Sequence, residues 1–309
     1  MTLYIFNFKR YVVVLLAVSL VLMVFTLICT EYYLRSQSLT NRANDVYKHR
    51  FLNGESPWVA LGDSHPATAL ISKTWLDNLG VASDNLSSIE GKLDIILANR
   101  PHLKGVIMQA DPQMFAYYRV ATDQSERVAS LRKLSDSRHT LLILSADYRP
   151  YLSSIVWSLL ADPTRLINGG DTSHKPVEQV DKNSNSWRRV VALRVQLHAP
   201  VSSLQEHSSS YQYRRIIQRI IEKGVKVCLV TYPVSELYRK MANTVPSFIS
   251  AHQFFQTLSL ETGAKLIDGR AAFPETAFND PDHLLPSEAL AFTEFIYKAC
   301  DVNYAYLDP

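Results

Sequence analysis

Ser64, His283 and Asp280 are the residues of this chain whose types and spacing could do chemistry. Ser64 stands in Gly62-Asp63-Ser64-His65; His283 closes Asp280-Pro281-Asp282-His283, about 215 residues later. A serine hydroxyl is a weak nucleophile until a base takes its proton. His283 is the base expected for Ser64, and Asp280, three residues before it, would hold its tautomer and steady the imidazolium. Those are the minimum parts for nucleophilic acyl transfer. Each motif alone also has a structural reading. Gly62-Asp63-Ser64 can be a strand-to-helix turn with Asp63 or Ser64 capping the helix, and residues 280–283 can be a polar loop near a helix start. Their occurrence together, in this order, favours the chemistry.

The elements that must position them alternate in type. Residues 58–61, 105–109, 225–231 and 265–267 are short, continuous apolar runs, as expected for strands buried on both faces of a parallel sheet. Residues 67–79, 92–99, 211–223, 246–262 and 286–298 read as helices, the last with Pro286 at its first position. Its Ala289, Phe292, Phe295, Ile296 and Ala299 form one apolar face for core packing. The alternation predicts an α/β fold with a mostly parallel sheet. Sites in such sheets lie beyond the carboxyl ends of the strands. Ser64 follows the first run, and Asp280 and His283 join it there if they occupy the loop after the last strand.

One stretch exceeds a minimal α/β unit. About 90 residues separate Asp111 from Leu204. Within them, residues 140–160 are apolar and helix-like, while 168–187 are rich in Gly, Ser, Asn, Asp and Lys and read as an exposed loop. The whole is expected to be an insertion at about 112–204 near the active-site face, serving as a lid or a partner surface.

The chain has 309 residues, enough for one large domain or two small ones. A net charge of +3 and the lack of a dense Lys/Arg block argue against a nucleic-acid partner. Residues 11–30 carry no charge and are long enough to span a bilayer. Lys9 and Arg10 before the run keep the amino terminus cytoplasmic and place the remainder outside the cytoplasm. A cleaved signal peptide competes with this reading, but no small-x-small site follows and the run is long for one. Leu27-Ile28 ahead of Cys29 makes a poor lipoprotein box. The expected organisation is a cytoplasmic tip and transmembrane signal anchor over 1–34 and a main domain over 35–309, with 32–51 as a stalk or first helix. An oxidising compartment would permit a Cys228–Cys300 bridge, although Cys228 reads first as a small core residue. No zinc-like cysteine spacing occurs, and neither metal nor other cofactor is expected.

Gly62-Asp63-Ser64 and Asp280-x-x-His283 resemble the first and last blocks of the SGNH (GDSL-type) hydrolases. The resemblance covers about residues 55–300 and implies a three-layer α/β sandwich around a five-stranded, mostly parallel sheet. It makes Ser64 the nucleophile, His283 the base and Asp280 its partner. With His65, an anchor and a long insertion, the chain is similar to SGNH-like proteins of bacterial cell-envelope biogenesis. These include polysaccharide O-acetyltransferases and relatives acting in teichoic-acid or exopolysaccharide modification. The middle blocks depart further. Asn85-Leu86-Ser87-Ser88-Ile89-Glu90-Gly91 resembles the second block with its glycine one residue late, and Gln109-Ala110-Asp111-Pro112-Gln113 lacks the third block's asparagine. The resemblance thus implies an oxyanion hole from Ser64, Gly91 and Gln113, with Gln109 an alternative donor. Asp111 cannot serve, since a carboxylate repels a developing oxyanion.

Other chemistries fit less. Pro66 occupies the second glycine of a Gly-x-Ser-x-Gly elbow. Asp63-x-His65 could open a two-metal phosphoesterase site, but Gly170-Asp171-Thr172-Ser173-His174 is a poor further cluster. His65 lines the cleft or merely starts a helix; Tyr232-Pro233 ends a strand; His174 and His207 read as surface residues. The expected protein is a single-pass protein of the bacterial inner membrane with a periplasmic domain. Its expected activity is that of a serine esterase or O-acetyltransferase acting on a cell-envelope glycan. A transferase would need a periplasmic acyl donor, handed over by a multi-pass membrane partner. The alternatives are a catalytically inactive SGNH-like scaffold or glycan-binding subunit of a polysaccharide modification or export complex, and a lipid-directed esterase.

Overall fold

The computed structural model describes residues 2–36, 46–47, 49–121, 181–202 and 204–302. They fall into two compact units, one built on the N-terminal helix and one beginning at His49. Helix α1 (Thr2–Ser36) contains a 24-residue span, Arg10–Tyr33, whose most apolar 18-residue window has mean hydropathy 3.1 and no buried residue. At 1.5 Å per residue such a span reaches about 36 Å, enough to cross a bilayer.

The second unit is α/β. Its strands β1 (Trp58–Leu61), β2 (Leu76–Asn78), β3 (Gly105–Gln109), β4 (Lys226–Thr231) and β5 (Lys265–Asp268) form one five-stranded sheet in the order β2-β1-β3-β4-β5. All four pairings are parallel, with Ala60, Ile107, Cys228 and Lys265 in register across it. Every residue of β1 and β3 is buried, in keeping with runs that are apolar up to Gln109 at the end of β3. β5, at the edge, is half-exposed. The winding reverses between β1 and β3, so the carboxyl ends of these two strands flank the crevice where such sheets bind ligands.

The helix expected over 67–79 is two elements. α2 (Ser64–Ala69) stops at Leu70, whose backbone is extended, and the chain returns as β2 beside β1. Asn78 secures the stop: its Nδ2 donates to the carbonyls of Pro66 and Leu70, both at 2.7 Å, and the Leu70 carbonyl is one that a longer helix would have bonded. α3 (Leu86–Asn99) begins six residues before its expected start, because Asn85 and Ser88 form a reciprocal capping box. α4 (Asn185–His198), α5 (Ser208–Glu222), α6 (Glu236–Ala242) and α7 (Pro246–Thr262) follow. A two-stranded ribbon, β6 (Phe278–Asp280) with β7 (His283–Leu284), precedes α8 (Ala289–Ala299).

The expected insertion is integral at its described ends. Pro112–Phe115 is a buried 3₁₀ turn, and Phe115 stacks with Tyr213, Phe254 and Phe255 in an aromatic cluster. The expected exposed loop over 168–187 ends too late, since α4 starts at Asn185 and Trp187 is buried against Val234 and Tyr238. The helix expected over 140–160 and the residues 170–174 lie outside the described residues.

Cys228 is buried, as its apolar run implies, but it is not a free core thiol. It is bonded to Cys300, 72 residues away, with Cα atoms 5.8 Å apart. The bridge ties β4 to the end of α8. A loop of that length is worth about 4 kcal/mol in the chain-entropy account.

Candidate active site

The turn that carries Ser64 is built by constraint. Gly62 has φ +153°, and a Cβ there would lie 2.7 Å from Gln109 Cβ and from Pro66 Cγ. No other residue fits this tight exit from β1. Asp63 then caps α2: its Oδ1 accepts from the His65 amide at 2.8 Å, while its own amide donates to Gln109 Oε1 at 2.7 Å. Ser64 is thereby left half-buried at the first position of α2, beyond the carboxyl end of β1.

The second motif is not a plain loop. It forms the bend of the β6–β7 ribbon. Asp280 Oδ1 accepts from the Asp282 and His283 amides at 3.1 and 3.0 Å, which folds the bend. The same carboxylate meets His283 Nδ1 at 2.8–2.9 Å. His283 Nε2 stands 2.9 Å from Ser64 Oγ. A carboxylate can only accept, so Nδ1 carries the proton and Nε2 is left with a lone pair facing the serine hydroxyl. The structure therefore brings Ser64, His283 and Asp280 into one relay across 219 residues of sequence separation.

Behind the relay lies a buried ionic network that sequence reasoning left out. Asp63, wholly buried, pairs with Arg119 at 2.5 Å and accepts from Gln113 Nε2 at 2.7 Å. Burial pushes its carboxyl up, but the charges of His65 and Arg119 outweigh that and hold it below the usual carboxylate value. His65 is 2 % exposed, with Nδ1 2.6 Å from Asp111 Oδ2 and Nε2 3.2 Å from Asp282 Oδ2. Burial works against its charge, yet Asp111 and Asp282 raise its imidazole well above 6.5. Asp111 also accepts from Gln109 Nε2 and from the Tyr232 amide, both at 2.8 Å, so Tyr232 does more than end β4.

α4 reaches the same place. Arg194 Nε lies 3.1 Å from Asp282 Oδ1, as an ion pair without hydrogen-bond alignment, and Arg194 Nη2 lies 4.0 Å from Asp280. His198 Nδ1 pairs with Tyr238 Oη at 3.0 Å. Burial drives His198 down to about 3, so this imidazole is neutral. Asp282 is held below the usual carboxylate value: burial raises it, and the hydrogen bond from His65, with that imidazole's charge, outweighs burial. The only signal for His65 and Asp282 was their adjacency to Ser64 and His283. Arg194 and His198 had none.

Two expected oxyanion donors are corrected. Gly91 is a buried residue in the sixth position of α3, where its amide belongs to the helix ladder. Gln113 gives its amide to Asp63, and Gln109, the alternative, gives its own to Asp111. Both glutamine amides are thus turned toward buried carboxylates, each giving one of its two N–H groups to them. The Ser64 amide remains, at a helix start where no intrahelical acceptor exists. His65, Asp282 and His283 have ligand-type atoms within 4.8 Å of one another. The ring nitrogens concerned already face carboxylates, so holding a metal would cost those hydrogen bonds.

No protein-family profile matches the chain, and no curated protein matches it.

Proposed function

We propose that this chain is a membrane-anchored serine esterase or O-acetyltransferase of SGNH-like, three-layer architecture acting on a cell-envelope glycan. The 2.9 Å contact between Ser64 Oγ and His283 Nε2, with Asp280 behind the imidazole, carries the reading. In the reaction, Nε2 takes the hydroxyl proton as Oγ attacks the acyl carbonyl. The tetrahedral intermediate collapses as the imidazolium returns that proton to the leaving oxygen. The resulting acyl-serine then passes its acyl group to a sugar hydroxyl or to water, with His283 removing the acceptor's proton.

α1 supports anchoring, and the Cys228–Cys300 bridge supports an oxidising compartment, the periplasm in this reading. The acyl donor would come from a multi-pass membrane partner. Engagement of Gln109 and Gln113 by carboxylates favours a second reading, an inactive scaffold or glycan-binding subunit, because it directs both amides toward buried anions instead of toward an oxyanion beside Ser64. Losing one such donor typically costs about 100- to 1000-fold.

The deciding experiment uses the full-length protein in detergent, with Ser64→Ala and His283→Ala beside it. A fluorophosphonate adduct on Ser64 and p-nitrophenyl acetate turnover, both lost in the two variants, are the expected results. Equal background rates and no adduct would establish the scaffold instead.

A further inference from the structure

The sequence places His65 next to Ser64 and Asp282 next to His283, and the fold pairs them in the same sense. Ser64 meets His283 at 2.9 Å, and one residue along each strand of chain His65 Nε2 meets Asp282 Oδ2 at 3.2 Å. The other His65 nitrogen meets Asp111 Oδ2 at 2.6 Å. A neutral imidazole offers one N–H, whereas two carboxylates demand two donors; the doubly protonated ring alone satisfies both. Such a buried cation is tolerable only with paired, hydrogen-bonded anions about it.

We infer that His65 is a positioning residue: a buried imidazolium that clamps the Ser64 turn to β3 through Asp111 and to the His283 ribbon through Asp282, holding nucleophile and base in register. The inference rests on the acyl-transfer reading for its kinetic consequence, but not for the clamp itself. The clamp has a second effect. Asp282 Oδ2 is 3.9 Å from His283 Nδ1, close enough to compete with Asp280 for that proton. Pairing with His65 turns Asp282 away and leaves Asp280 to orient the base. The groups facing His65 are all part of this arrangement: Asp111 and Asp282 by hydrogen bond, Asp63 by charge, and the rings of His283, Tyr232 and His198 at 5.4, 6.1 and 6.4 Å. The His283 ring stands at 88° to that of His65, edge to face, so the second imidazole also walls the first.

The test takes full-length protein in detergent, labelled with ¹⁵N-histidine. One histidine is expected to show both ring N–H protons, protected from exchange at neutral pH, and to vanish in His65→Gln. Asp282→Asn should shift its Nε2–H alone. A singly protonated His65 in the wild type, or displacement of its protons by one equivalent of Zn²⁺, would overturn the clamp. On the kinetic side, His65→Gln should slow fluorophosphonate labelling about 100-fold, the cost of roughly ångström misplacement. It should also move the pH profile of labelling upward, because Asp282, left with Arg194 as its one charged partner, then faces His283 with less of its charge offset. His65→Gln with Asp282→Asn should move the profile back. An unmoved profile in the single variant defeats the clamp even if the rate falls. Should the wild type take no label, the acyl-transfer reading fails, while the nitrogen spectra still decide the clamp.

Discussion

His65 and Asp282 meet 3.2 Å apart across 217 residues, one step along from the Ser64–His283 contact, so the two motifs join as a two-rung ladder. The inner rung is buried and set among carboxylates, and the outer one is half-buried. The division has a physical basis. A nucleophile must be reached by substrate, whereas a charge pair gains strength as water is removed from it.

Asp280→Asn should leave the fold intact and lower ester turnover or Ser64 labelling by about 10⁴-fold, because an amide facing Nδ1 favours the wrong tautomer. Steady-state hydrolysis of p-nitrophenyl acetate, with circular dichroism as the folding control, measures this. Retention of more than a tenth of wild-type activity would contradict the assigned role of Asp280.

Gly62→Ala should destabilise the protein by about 1–3 kcal/mol or more, since the φ of +153° is strained for any side chain and the added Cβ meets Gln109 and Pro66. Urea unfolding gives the difference directly. An unchanged midpoint would mean that the turn relaxes freely.

Reduction of Cys228–Cys300 should cost about 4 kcal/mol from the lost loop constraint. Thermal melts with and without dithiothreitol, repeated on Cys228→Ala/Cys300→Ala, should show the reductant acting on the wild type alone. A reductant effect that persists in the double variant would assign it elsewhere.

Stability should peak near neutrality and fall on both sides. On the acid side, His198 titrates at about 3 when folded and near 6.5 when unfolded, so the unfolded chain binds more protons between those values. Stability is therefore lost as pH drops through that window. Asp63 and Asp282 add to this loss, being held below 3.8 in the fold. On the alkaline side, His65 is raised well above 6.5; its contribution is complete below 6.5 and is lost as pH climbs through its folded value. Urea midpoints across the pH range test both limbs, and His65→Gln should flatten the alkaline one.

Much of this protein was legible before folding was considered. Near-continuous apolar runs marked β1 and β3 residue for residue, because a strand covered on both faces admits a polar side chain only where, as at Gln109, buried partners satisfy it. Ser64, His283 and Asp280 stood out because their chemistry needs particular residue types at short spacing. Other features had no local signature. β2 is three residues long and borrows its form from pairing with β1, so its apolar positions read as helix. Gly91, expected as an oxyanion donor just ahead of a helix over 92–99, lies inside α3 because the Asn85 capping box starts that helix earlier. The partners of His65 lie 46 and 217 residues away, and Arg194 and His198 come from an apparent insertion. Sequence alone therefore determined which groups could react, since that depends on residue type. Tertiary structure decided which buried charges surround them, because a carboxylate's partner is set by proximity in space, and proximity across hundreds of residues leaves no trace in spacing.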